Sequence, residues 1–192
     1  MNELTVLALE LQSFCESRGW EFCIIGGLAV QHWGEPRFTK DVDMTLLTGF
    51  GKEEPFIREW LKNYDARMPD PENFAITNRV LLLRSSVGIG IDIALGALPF
   101  EQSAVARAVP IELEPGAPLK ICTAEDLIVM KAFAARPQDR LDLRGILVRQ
   151  GTANLDWGYI WEHLAPLAEV KQSPEILDHL KALHDEVEAG ER

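Results

Sequence analysis

The chain has 192 residues, 47% of them hydrophobic and 26% charged, with a formal net charge of -11. That length suits one well-buried core with a helical appendage and is short for two full-sized domains, and the balance of apolar and charged residues excludes a disordered chain. The negative charge argues against broad, nonspecific attraction to nucleic acid, which Lys and Arg drive by displacing counterions, while leaving room for a local basic groove.

Residues 2–18 carry Leu4, Leu7, Leu11 and Phe14 at helical intervals, with Gly19 where a C-terminal stop belongs. This segment has no basic n-region, and acids and Gln interrupt it, so it reads as neither signal peptide nor span. Trp20 to Ile25 is a short apolar run ending in Gly26-Gly27, a strand and then a turn. Leu28 to Trp33 reads as a short helix closed by Gly34, with Pro36 blocking its continuation. Asp41 to Leu47, DVDMTLL, alternates as a strand does. Lys52 to Asn63 reads as a helix, residues 64–73 as a loop, and Phe74–Ile76 with Arg79–Arg84 as a hairpin around Thr77-Asn78. The run GIGIDIAL sets Asp92 into an apolar strand, and Pro110–Leu113 is one more short strand.

From Thr123 the pattern turns helical. Thr123 and Asp126 approximate a capping box, Pro137 ends the helix they open, and residues 138–149, 156–165 and 173–188 read as three more. The expected fold is α+β: a mixed sheet flanked by helices over residues 1–122, then a helical C-terminal part over 123–192. Cys15, Cys23 and Cys122 lack metal-type or paired spacing and read as reduced core thiols, which makes the cytoplasm the default location. No stretch reaches the roughly 20 apolar residues of a membrane helix, so no membrane partner is expected.

Three features carry chemistry in chain order: Gly26-Gly27 after a strand, Asp41-Val42-Asp43, and Asp92 inside a later strand. Strand residues i and i+2 share a face, so Asp41 and Asp43 project side by side while Val42 turns into the core. Two carboxylates so placed bracket hard cations spaced about 3.5–4 Å apart, the arrangement of two-metal phosphoryl chemistry. Asp92 is the third carboxylate, because an unpartnered charge in a buried strand is costly and a metal supplies its partner. Taken singly, each feature has a plainer reading: strand-end acids, an Asp92 paired with Arg79 or Arg84, a turn needed only for packing. The glycine pair lets phosphate oxygens approach the backbone, and the helix after it aims its positive end at them. His163, His179 and His184 fall in the helical tail at spacings that build no metal site, and His32 reads as a helix-end residue rather than a catalyst. Trp33, Trp60, Trp157 and Trp161 read as packing residues, with Trp33 and Phe38 also of the type that stacks on a base.

The segment GGLAVQHWGEPRFTKDVDM resembles the signature of the DNA polymerase beta-like nucleotidyltransferases: a glycine pair ending the first strand, a helix, then Arg, Thr and the D-x-D strand. Within that superfamily it most resembles the AbiEii/AbiGii group of toxin-type nucleotidyltransferases, whose later helices AEDLIVMKAFAARPQDRLDL also resembles. The resemblance implies that Gly26 and Gly27 contact the triphosphate and that Asp41 and Asp43 bind Mg²⁺ or Mn²⁺. By the same likeness Asp92 is third ligand or base, Arg37 and Thr39 orient the phosphates or the loop, and Lys131 reaches the nucleotide. It implies transfer of a nucleoside monophosphate from a nucleoside triphosphate to an acceptor hydroxyl, left open among transfer RNA, a protein and a small molecule. It also brings in the role of a toxin with an antitoxin partner. Two other readings stand beside it: a D-x-D glycosyltransferase, and a catalytically silent nucleotide-binding or interaction protein.

Overall fold

The computed structural model describes residues 1–190 and divides into two compact units. The first comprises Met1–Leu28 and Phe38–Cys122, the second Ala29–Arg37 and the described residues from Thr123 on. Residues 29–37 group with the described residues from Thr123 on.

In the first unit, helix α1 (Glu3–Glu16) precedes strand β1 (Phe22–Ile24) and the start of helix α2 (Gly26–Trp33). Strand β2 (Asp41–Leu47), helix α3 (Glu54–Leu61), strand β3 (Asp65–Ala66) and helix α4 (Pro71–Asn78) follow. Then come strands β4 (Val80–Arg84) and β5 (Gly90–Gly96), helix α5 (Pro99–Arg107), and strands β6 (Val109–Glu112) and β7 (Pro118–Ile121). All seven strands form one mixed sheet in the order β3-β4-β5-β2-β1-β7-β6, with β2 parallel to β5 and antiparallel to β1.

Several segments differ from the sequence reading: strand β3 falls inside the expected loop, strand β7 was not read, and two helices stand where none was expected. The stretch expected to be a loop and a hairpin arm is helix α4, opened by Pro71, whose missing N–H costs nothing at a first helical turn. Arg79 ends that helix in the left-handed region at φ 58, and its guanidinium is bound to Glu53 and to the Leu95 carbonyl. Helix α5 was not read at all. Its start is marked by Pro99 and by Glu101, which accepts hydrogen bonds from the N–H groups of Ala97 (2.7 Å) and Leu98 (2.8 Å).

The sheet has one apolar face toward the core and an opposite face that carries acids. Val42, Met44 and Leu46 of β2, Leu81 and Leu83 of β4, and Ile91, Ile93 and Leu95 of β5 are all buried. The alternate positions of β2 and β5 hold Asp41, Asp43 and Thr45 beside Gly90, Asp92 and Ala94. Each buried apolar side chain contributes about 1.5–3 kcal/mol, whereas repulsion between two carboxylates 4 Å apart is about 1–4 kcal/mol at a partly wet site. A one-residue slip would turn the whole apolar set out of the core. Burial therefore sets the register, and the acids are carried together by it.

The second unit holds helices α6 (Ala124–Ala134), α7 (Pro137–Gln150), α8 (Trp157–Val170) and α9 (Glu175–Gly190). Helix α6 packs on each of the other three. Its cap is the expected box: the Thr123 hydroxyl donates to Asp126 at 2.7 Å, and the buried Asp126 also accepts from the Tyr159 hydroxyl at 2.5 Å. Helix α6 ends at Ala134, Ala135 turns left-handed at φ 57, and Pro137 starts α7 rather than ending α6. No helix among the described residues is long and apolar enough to cross a membrane.

Candidate active site

The β2–β5 ladder pairs Asp43 with Asp92 and Asp41 with Gly90. In a parallel pair such partners are nearest neighbours on one face, about 4.8 Å apart across the ladder. Asp41, Asp43 and Asp92 thus share one patch of the sheet, all three partly exposed. Asp92 was expected to be buried; it is one-third exposed, because its side chain leaves the sheet on the face without the apolar layer.

Glycines make room for these acids. A Cβ on Gly90 would collide with the Asp41 carboxylate, and one on Gly26 with the Asp43 carboxylate. Gly26 also sits at φ +61, which a side chain disfavours. The Gly27 N–H donates to Asp43 Oδ2 at 3.3 Å, and a Cβ on Gly27 would collide with the Thr39 side chain. Thr39 donates its hydroxyl to the Asp41 carbonyl at 3.4 Å, so it braces the turn into β2. Phe38, just ahead of it, is 81% exposed.

A residue the sequence reading passed over completes the patch. Arg67, at the end of β3, forms an ion pair with Asp92, the role expected of Arg79 or Arg84 in the plainer reading. Arg79 instead binds Glu53, and Arg84 is exposed. No local pattern marks Arg67; only the β3–β4–β5 order brings it to Asp92.

Arg37 and Lys131 are brought together, but by acids of their own unit. Arg37 holds Asp142 with two bonds, Nε to Oδ1 at 2.7 Å and a terminal nitrogen to Oδ2 at 2.9 Å. The buried Lys131 ammonium reaches Asp142 at 2.7 Å and Asp139 at 2.9 Å, and Arg136 caps Asp139 at 2.7 Å. Burial pushes the Asp142 carboxyl up, but hydrogen bonds from Arg37, Lys131 and Gln138 outweigh it and hold the group at about 2. Asp139 is likewise held below the usual carboxylate range: burial raises it, and the bonds from Arg136 and Lys131 prevail. The two cations expected at the nucleotide are therefore engaged in a network joining α6, α7 and the segment before β2. His184, read as far from any metal-type spacing, does lie with Asp185 and Glu188 within 4.8 Å on α9, as a partly exposed group.

The donor set fits a hard divalent cation. Three carboxylates give oxygen ligands, the glycines leave the space they need, and all three cysteines are buried thiols. Burial pushes the Cys15 thiol up to about 12, so it offers no thiolate.

No family model matches the chain, and no curated protein matches it. Among solved structures, an antigenic nucleotidyltransferase-like protein from Paracoccidioides brasiliensis aligns at TM-score 0.52 and 17% identity over 94% of this chain and 93% of that one. The antibiotic-resistance factor ANT(2'')-Ia aligns at TM-score 0.51 and 15% identity over 91% of this chain and 95% of that one. The α+β architecture with its seven-stranded mixed sheet is thus the nucleotidyltransferase fold. At these identities the likeness shows the fold alone.

Proposed function

We propose that this chain is a metal-dependent nucleotidyltransferase that moves a nucleoside monophosphate from a nucleoside triphosphate to an acceptor hydroxyl. The observation that carries this reading is the ladder register, which sets Asp43 beside Asp92 and Asp41 beside a glycine that makes room for it, on a sheet of nucleotidyltransferase type. That fold favours nucleotidyl over glycosyl transfer, and the intact acids speak against a silent protein.

Asp41, Asp43 and Asp92 would hold Mg²⁺ or Mn²⁺, which supplies charge neutralisation on the triphosphate and activation of the acceptor hydroxyl. Gly26 and Gly27 open the first turn of α2, whose positive end favours phosphate. Thr39 keeps the turn before β2 in shape, and the exposed Phe38 ring would stack on the base. Asp92 takes the proton of the acceptor hydroxyl as its oxygen bonds to the α-phosphorus, while the α–β phosphoanhydride bond breaks and pyrophosphate leaves. Arg37 and Lys131 brace Asp142 and make no nucleotide contact in this reading. The acceptor belongs to transfer RNA, a protein or a small molecule. A toxin acting on one of these would have an antitoxin partner, and the buried, reduced thiols suit a cytoplasmic setting.

The test is incubation of the purified chain with α-labelled nucleoside triphosphates, Mg²⁺ and, separately, transfer RNA, a protein extract and a small-molecule extract. Label should pass to one class of acceptor, and the Asp41→Asn, Asp43→Asn double variant should transfer none. Equal labelling by wild type and the double variant would refute the assignment.

A further inference from the structure

Resting on the metal-dependent reading above, we propose that Arg67 is the built-in counter-ion of the carboxylate patch, positioning Asp92 in the metal-free protein and yielding it to a divalent cation when triphosphate arrives. The placement is set by the sheet. Asp65 and Ala66 pair with Arg84 and Leu83, and the Arg67 N–H donates to the Leu82 carbonyl at 3.0 Å. Leu82 is the ladder partner of Asp92, so the Arg67 backbone is pinned with only β4 between it and the strand of the carboxylate it binds.

The guanidinium reaches further than that one bond. Its Nη1 lies 3.2 Å from the point where a Gly90 Cβ would stand, which is also the space of the Asp41 carboxylate. Its Nε is buried and has no hydrogen-bond partner. A group with five donors thus lies against Asp92 and the space of the Asp41 carboxylate, bonded to Asp92 and holding one donor unsatisfied. Such a cation offsets part of the repulsion among the acids while no metal is bound. It also competes with metal for Asp92. Phosphate oxygens give Arg67 a new partner of the kind guanidinium favours. The consequence is linkage: the patch binds a divalent cation weakly alone and well with triphosphate, and Arg67 sets the difference.

The experiment measures Mn²⁺ affinity by calorimetry, with and without a nonhydrolysable triphosphate, in wild type, Arg67→Gln, Arg67→Ala and Arg67→Lys, alongside thermal melts in chelator and in Mn²⁺. In the Gln and Ala variants Mn²⁺ alone should bind about tenfold tighter, the gain from triphosphate should shrink, and the melting point should fall in chelator and recover in Mn²⁺. Lys, which keeps the charge, should stay within about twofold of wild type. Unchanged or weaker Mn²⁺ binding in a folded Gln or Ala variant overturns the proposal. So does failure of both to fold in Mn²⁺ buffer, since the cation should replace the guanidinium. The Asp41→Asn, Asp43→Asn variant separates the two levels: if it binds Mn²⁺ like wild type, the metal site itself falls and this inference with it. If it loses Mn²⁺ while the Arg67 variants gain none, only the role of Arg67 is wrong.

Discussion

Gly90 stands opposite Asp41 in the parallel β2–β5 ladder, and the space its missing side chain leaves is the space the Asp41 carboxylate occupies. A residue with no chemistry of its own therefore decides where a proposed metal ligand can lie. Gly90→Ala should push the Asp41 carboxylate aside, weakening Mn²⁺ binding in the presence of triphosphate at least tenfold. Gly90 needs no left-handed backbone, so the cost in stability should be only the crowding cost of about 1–3 kcal/mol. Calorimetry and a denaturant melt read both. An alanine variant that binds Mn²⁺ as wild type does would show that this carboxylate position is immaterial.

Lys131 distinguishes a nucleotide contact from a brace. Its ammonium is buried between Asp139 and Asp142, so Lys131→Met leaves two buried carboxylates short of a cation, at a cost of about 3 kcal/mol or more. Urea unfolding should show that loss, while KM for the triphosphate in the folded variant stays near wild type. The opposite pattern, full stability with a raised KM, would restore Lys131 to the nucleotide site.

Asp139 and Asp142 also set the acid limit of the fold. Both carboxyls are held below their ordinary value, Asp142 from 3.8 to about 2, so their stabilisation is complete above the unfolded-state value. It is lost as pH falls from about 4 through about 2. For Asp142 alone the loss is on the order of 2 kcal/mol. Urea midpoints measured from pH 5 down to pH 2 should fall steeply in the wild type. In Asp142→Asn they should start lower and fall less. Parallel curves for the two proteins would place the acid sensitivity elsewhere.

What the sequence determined by itself was whatever depends on short-range periodicity. The alternation in DVDMTLL puts Asp41 and Asp43 on one face with Val42 and Met44 on the other, and the strand runs over Asp41–Leu47 as read. Thr123 and Asp126 form the cap that their spacing announces, and Cys15, Cys23 and Cys122 are core thiols. Even the helix α5, though passed over, carries its own local signal in Pro99 and Glu101.

Tertiary structure decided everything that joins distant positions. That Asp92 falls beside Asp43 follows from the β2–β5 register, which the buried apolar face selects. That Arg67 rather than Arg79 or Arg84 meets Asp92 follows from the strand order, in which β4 lies between β3 and β5. Arg37 and Lys131 carry the residue types of a phosphate site. In the structure they pair with Asp142 and Asp139, because burying those carboxylates demands cations. A side chain's type and its strand phase are local properties, but its partner is set by which surfaces the core brings together.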